Sequence, residues 1–251
     1  MSGPGASAAS LAPGVHRLGT DLVNWYLVDA GDEGLTAVDA GLPGYGDLME
    51  EQLRAVGRRP DEIRAVVLTH GHSDHTGLVR RIADAGARVL IHEDDVELLR
   101  NPGGQRPSLQ MVTALRHGHA RRFMWQMGRA GGTRPTRFES PETYGDGAEL
   151  DVPGHPRAIH TPGHTAGHCV LQFPRQGALF AGDLICTLSP VTGRTGVQPF
   201  PSAFNADSQR LMASLGRLED LDAGVVLPGH GDPLPGSPAD AARSARAVGM
   251  H

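Results

Sequence analysis

Apolar positions along the first third of the chain group into short buried runs separated by helical stripes. Val15 to Leu18, Leu22 to Val28 and Leu35 to Val38 read as three successive strands. Leu48, Met49, Leu53 and Val56 then recur at helical spacing and mark the apolar face of a first helix. Arg64 to Thr69 reads as a short buried strand. Thr76 to Ala85 follows as a helix carrying Leu78, Val79, Ile82 and Ala83, stopped by Gly86, and Arg88 to His92 returns as a strand. Farther on, Arg157 to His160 is expected as a strand, and His168 to Phe173 with Ala178 to Ala181 as a hairpin. Leu211, Met212, Leu215 and Leu218 give a later helix its buried stripe, and Gly224 to Leu227 forms the last strand. Two halves of similar strand and helix content result, which by pattern alone is an α/β protein.

The segment from Asn101 to Gly147 carries Met111, Phe123, Met124, Trp125 and Met127 amid Arg and Gly. It reads either as a helical excursion packed on the domain or as a lid insertion offering an adaptable apolar wall to a substrate. Residues 1–13, rich in Gly, Ala, Ser and Pro, read as a disordered tail without the basic start or apolar core of a signal peptide. Residues 14–251 are expected to make a single domain. The protein is expected to be cytoplasmic, with no membrane association.

Composition narrows the picture. Hydrophobic residues make up 39% of the 251 positions, and aromatic residues only 4%, so aliphatic side chains must fill most of the core. The net charge is -5, and all 23 basic residues are arginine. No basic stripe accompanies them, so nucleic acid is excluded as the expected partner in favour of a small-molecule substrate. Cys169 and Cys186 make no disulfide framework. Cys186 lies three residues beyond Asp183 and is expected in the core, although it could face a site there.

The chemistry concentrates in Thr69-His70-Gly71-His72-Ser73-Asp74-His75, which places three imidazoles and one carboxylate in six consecutive positions. In extended chain, residues two apart project to the same side. His70 and His72 can therefore converge on one metal while the turn presents Asp74 and His75 to another. A histidine-rich surface loop is the plain alternative. Against it stands the context of a buried strand before the cluster and a helix after it, whose amino terminus is expected to lie near Asp74. Imidazole and carboxylate suit Zn²⁺ and tolerate Fe and Mn.

These residues resemble the metallo-β-lactamase superfamily, whose signature is His-x-His-x-Asp-His, and the rest of the chain follows the same order. Asp39 lies in Thr36-Ala37-Val38-Asp39-Ala40-Gly41, His164 in Thr161-Pro162-Gly163-His164-Thr165, Asp183 after Ala178-Leu179-Phe180-Ala181-Gly182, and His230 at the end of Val225-Val226-Leu227-Pro228-Gly229-His230. The resemblance runs from about Val15 to His230 and implies an αββα sandwich of two mixed sheets flanked by helices, with metals at one edge. It implies that His70, His72 and His164 hold a first metal, that Asp74, His75 and His230 hold a second, and that Asp183 bridges them. Asp39 would orient a ligand histidine through its other ring nitrogen. Asp74 and Asp183 are the carboxylates implied in catalysis. His168, close to His164, would support the site from behind, and the remaining histidines are ordinary.

The activity so implied is a metallo-hydrolase with two zinc ions per chain, which uses a metal-bridging hydroxide to cleave an ester, lactone or thioester. True β-lactamases of this fold carry Cys or Ser where this chain has Asp183. Glyoxalase II resembles it around Thr161 to His168 but adds a helical region for glutathione, and only 21 residues follow His230 here. Acyl-homoserine lactonases carry Tyr where this chain has Cys186. Two other readings are a mononuclear iron persulfide dioxygenase, which leaves part of the second ligand set idle, and a non-catalytic metal-binding protein.

Overall fold

The computed structural model describes residues 11–20, 22–102 and 109–250. Its first half makes a six-stranded sheet in sequence order, β1 (Val15–Gly19), β2 (Asn24–Asp29), β3 (Leu35–Val38), β4 (Ile63–Val67), β5 (Arg88–His92) and β6 (Glu142–Tyr144). The first three strands pair antiparallel and the rest parallel. Helix α1 (Gly46–Ala55) connects β3 towards β4, and α2 (Val79–Asp84) connects β4 to β5, as parallel neighbours require a crossover. After β5 come α3 (Val96–Arg100), α4 (Leu109–Ala114) and α5 (Gly118–Arg129).

The second half forms a five-stranded sheet from β7 (Arg157–His160), β8 (Cys169–Phe173), β9 (Ala178–Gly182), β12 (Val225–Pro228) and β13 (Leu234–Pro235). A separate hairpin of β10 (Ile185–Leu188) and β11 (Thr195–Pro199) stands beside it. Helices α6 (Ser208–Ser214) and α7 (Pro238–Val248) complete the chain.

Period-two alternation explains how the sheets stack, because each strand divides its side chains between two cores. Trp25 and Leu27 of β2 pack with Met49 and Leu53 of α1 and with Val79 and Ile82 of α2 on the outer face of the first sheet. Tyr26 and Val28 of the same strand turn inward and meet Leu171, Phe173, Phe180 and Leu227 of the second sheet. The opposite faces of β8, β9 and β12 give Val170, Leu179 and Val226 to a third core with Leu211 of α6 and Ala241, Ala242 and Ala245 of α7. Helices thus cover both outer faces of two packed sheets, the expected αββα order.

Several local expectations change. The helix expected from Thr76 begins only at Val79, so no helical amino terminus stands beside Asp74, and turns cover the interval instead. The later helix ends at Ser214 and tightens into a 3₁₀ turn over Leu215–Leu218. Of the expected tail, residues 1–10 lie outside the described residues, while Leu11 and Ala12 pack against the core between the sheets. Residues 103–108 of the expected lid also lie outside. Glu142–Tyr144, at the end of that segment, belongs to the first sheet through its pairing with β5. Among the described residues, no helix is long and apolar enough to cross a membrane.

Candidate metal centre

The seven residues expected to gather do gather, and each comes from the end of a strand. His70, His72, Asp74 and His75 follow β4, His164 follows β7, Asp183 follows β9, and His230 follows β12. Their ring nitrogens and carboxylate oxygens form three overlapping groups, each able to hold a metal ion. These are His70 with His72 and His164, His70 with His75 and Asp183, and Asp74 with His75 and His230.

Fixed tautomers decide where the lone pairs point. Asp39 accepts from the Thr69 amide at 2.8 Å and from the Thr69 hydroxyl, which is thereby free to accept from His70 Nδ1 at 3.0 Å. The other oxygen of Asp39 takes His75 Nδ1 at 2.8 Å. His230 Nδ1 donates to the Leu22 carbonyl at 2.6 Å. The Asn205 amide donates to the Phe200 carbonyl, so its oxygen is what meets His164 Nδ1 at 3.0 Å. In four imidazoles, therefore, the Nδ1 proton is engaged on the outside and the Nε2 lone pair is driven inward. His72 offers the other nitrogen, with Nδ1 2.8 Å from His164 Nε2.

Seven buried side-chain polar atoms lack a hydrogen-bond partner among the described residues, and four of them meet here: His70 Nε2, His75 Nε2, His230 Nε2 and Asp183 Oδ1. Such atoms are costly to bury unpaired, about 1–3 kcal/mol each, and cations held among them would remove that cost. Asp183 lies at the middle. Its carboxylate is 3.5 Å from His75 Nε2, 3.5 Å from His164 Nε2 and 3.4 Å from His230 Nε2.

Electrostatics divide the site in two. Burial works against a proton on His75, yet Asp183, Asp39 and Asp74 outweigh it and lift the pKa well above its ordinary value. His230 shows the same opposition, with burial overcome by Asp183 and then Asp74, and rises to about 9. Asp74 is held at about 2, because His75 and His230 more than offset its burial. His70 and His164 go the other way, driven well below the usual range by burial and then by neighbouring imidazoles. Carboxylates thus concentrate a field that favours a cation around His75 and His230, while His70 and His164 are held neutral.

Residues that pattern reading passed over hold these loops together. Asp95, fully buried, accepts from the Gly71 amide at 2.9 Å, the Thr165 hydroxyl at 2.7 Å and the Gly167 amide at 2.7 Å, tying the first histidine loop to the His164 loop. Asn24 donates to the Pro228 and Gly231 carbonyls and fixes the His230 loop from both sides. His168 supports the site as expected. Its Nε2 accepts from the Asp183 amide at 3.0 Å, and burial lowers its pKa to about 3, keeping the ring neutral for that role. Gly182 makes this approach workable. Its φ is +48°, and a Cβ there would stand 2.7 Å from His168 Nε2 and 2.8 Å from the Thr69 hydroxyl.

A cavity of about 520 Å³ opens over His72, Asp74, His164 and Asp183. Phe123 and Met127 of α5 line it, with Met111, Phe200 and Phe204. Trp125 does not. It is 63% exposed and lies against Arg129 on the solvent side of α5, so it is neither a wall of the cavity nor a core residue. Cys186 is buried in the outer core of the second sheet, where burial raises its thiol pKa far out of reach.

One further grouping, His92 with Asp94 and His160, is chemically different. The two rings stack nearly parallel, 12° apart, so their in-plane lone pairs do not converge. His92 Nδ1 accepts from the Asp94 amide, and His160 Nε2 faces the Ala166 carbonyl at 2.7 Å.

Residues 18–230 match the family model described as the metallo-beta-lactamase superfamily. Among curated proteins, the chain is 25% identical to the probable metallo-hydrolase YflN of Bacillus subtilis (strain 168), over 94% of its own length and 89% of that protein's. It is 31% identical to a hydroxyacylglutathione hydrolase of Alkalilimnicola ehrlichii over 82% of this chain, and spans 60% of that enzyme. Among solved structures, the protein TTHA1623 in a di-iron-bound form superposes with a TM-score of 0.62 at 28% identity, covering 91% of this chain and 96% of that one.

Proposed function

The chain belongs to the metallo-beta-lactamase superfamily, and from that membership we propose a hydrolase that holds two metal ions and cleaves an ester, lactone or thioester. The observation that carries this reading is the position of Asp183, whose two oxygens face imidazoles of both ligand groups. His70, His72 and His164 would hold one ion, Asp74, His75 and His230 the other, and Asp183 would be common to both. The relative bound to two irons and the mixed imidazole and carboxylate set leave zinc and iron both chemically suited; zinc is our reading for hydrolysis. Bound there, the metals supply Lewis-acid polarisation of a carbonyl and a water acidic enough to act as nucleophile near neutral pH.

The chain's own contribution is to hold the donors before substrate arrives. Asp39, Leu22 and Asn205 each take an Nδ1 proton and so aim Nε2 at the metal positions. Phe123 and Met127 of α5, with Phe200, line the cavity over the centre, which supports a covering role for α5.

Asn205→Ala tests the scheme without removing a ligand. Losing the acceptor for His164 Nδ1 should weaken metal retention by about 10- to 100-fold. Hydrolysis of a p-nitrophenyl ester should therefore fall at limiting zinc and recover at saturating zinc. Wild-type zinc dependence in this variant, or ester hydrolysis independent of metal, would contradict the proposal.

A further inference from the structure

Two cavities flank α5, and they differ in the charged residues that line them. The first, over the metal centre, is walled by Leu98, Met111, Met127, Phe200 and Phe204. Among the described residues, no arginine lines it, and its only ionisable groups are ligand candidates: His72, Asp74, His164 and Asp183. The second, of about 490 Å³, is lined by Leu22, Leu188 and Pro190 together with Thr20, His119 and Arg122, and reaches His230. Among the described residues, Phe123 is the one that lines both. Its side chain is packed in place, 8% exposed, with its ring 5.9 Å from that of His230 and 6.4 Å from that of Phe204.

This arrangement discriminates by chemistry. A charged group carried along the apolar wall of the first cavity would lose its water against thioethers and phenyl rings, with no cationic side chain beside it among the described residues. An alkyl chain meets a wall that gains from every methylene it buries, and Met111, Met124 and Met127 adapt to its shape. Resting on the hydrolase reading above, we propose that the substrate is an ester or thioester of an uncharged, apolar acyl group whose chain lies in the first cavity. Hydrolysis then adds water across the acyl bond, releasing the fatty acid and an alcohol or thiol.

Binding and turnover separate this inference from the reading it rests on. Straight-chain methyl ketones, which cannot be hydrolysed, serve as probes for the metal-loaded protein by calorimetry. From 2-butanone towards 2-octanone, affinity should rise about three- to fourfold per methylene. Met127→Gln, on the apolar wall, should flatten that rise with metal content unchanged. Flat affinity along the series in the wild-type protein, or an unaltered rise in the variant, would overturn the inference, whatever the turnover. The expected ketone series in a protein that cleaves no p-nitrophenyl ester would uphold the acyl site and reject the hydrolase reading. A matching chain-length profile for p-nitrophenyl esters would support both.

Discussion

Asp183→Ala should lower kcat/KM for ester hydrolysis by about three orders of magnitude and leave the fold intact. The size follows from what a carboxylate common to both ligand groups would do: it would help hold the two cations whose Lewis acidity the proposed hydrolysis needs, an effect worth several kcal/mol, with each 1.36 kcal/mol a factor of ten. Survival of the fold follows from the backbone. The Asp183 amide stays bonded to His168, and Gly182 stays tied to the Gly229 amide at 2.8 Å, so truncation beyond Cβ leaves the loop anchored. Steady-state kinetics with a circular dichroism spectrum of the variant checks both halves. A wild-type rate would remove Asp183 from the chemistry, and an unfolded protein would assign it a structural role instead.

Asp39→Ala should be the most destabilising single change at the site, by about 3–5 kcal/mol. Three donors on two residues converge on this buried carboxylate, and truncation strands the Thr69 amide and His75 Nδ1 away from water. Asp39 also sits at φ +62°, a left-handed conformation that Asp tolerates better than Ala. The freed His75 ring should cost the second ion about 10- to 100-fold in affinity. Chemical unfolding with and without zinc, followed by zinc titration, measures each effect. A loss under about 0.5 kcal/mol with unchanged zinc affinity would show that Asp39 orients nothing.

The two predictions also mark what the chain discloses before folding. His70, His72, Asp74 and His75 are legible because one turn compresses them into a short span, and His164, Asp183 and His230 because each follows a strand-like run at a Gly. Asp95 and Asn205 are not. Their partners are main-chain amides, a hydroxyl and an imidazole brought near only by the packing of two sheets, so nothing in neighbouring sequence distinguishes them from ordinary surface residues. The strand β6 escapes for another reason. Glu142 and Thr143 are exposed, leaving Tyr144 alone to signal burial. The hairpin β10–β11 hides behind Thr, Gly and Gln. In α7 the buried face is made of alanines, too small to stand out, although Ser237 caps its start by accepting from the Asp240 amide. Trp125 misleads in the opposite sense, because an apolar side chain on an amphipathic helix can still face water.

Metal analysis of the protein as purified, without added metal, bears most directly on the central claim. The account predicts about two ions of zinc per chain, ester hydrolysis lost on chelation, and its return with added zinc. A single iron per chain without ester hydrolysis, or full hydrolysis in metal-free protein, would contradict it.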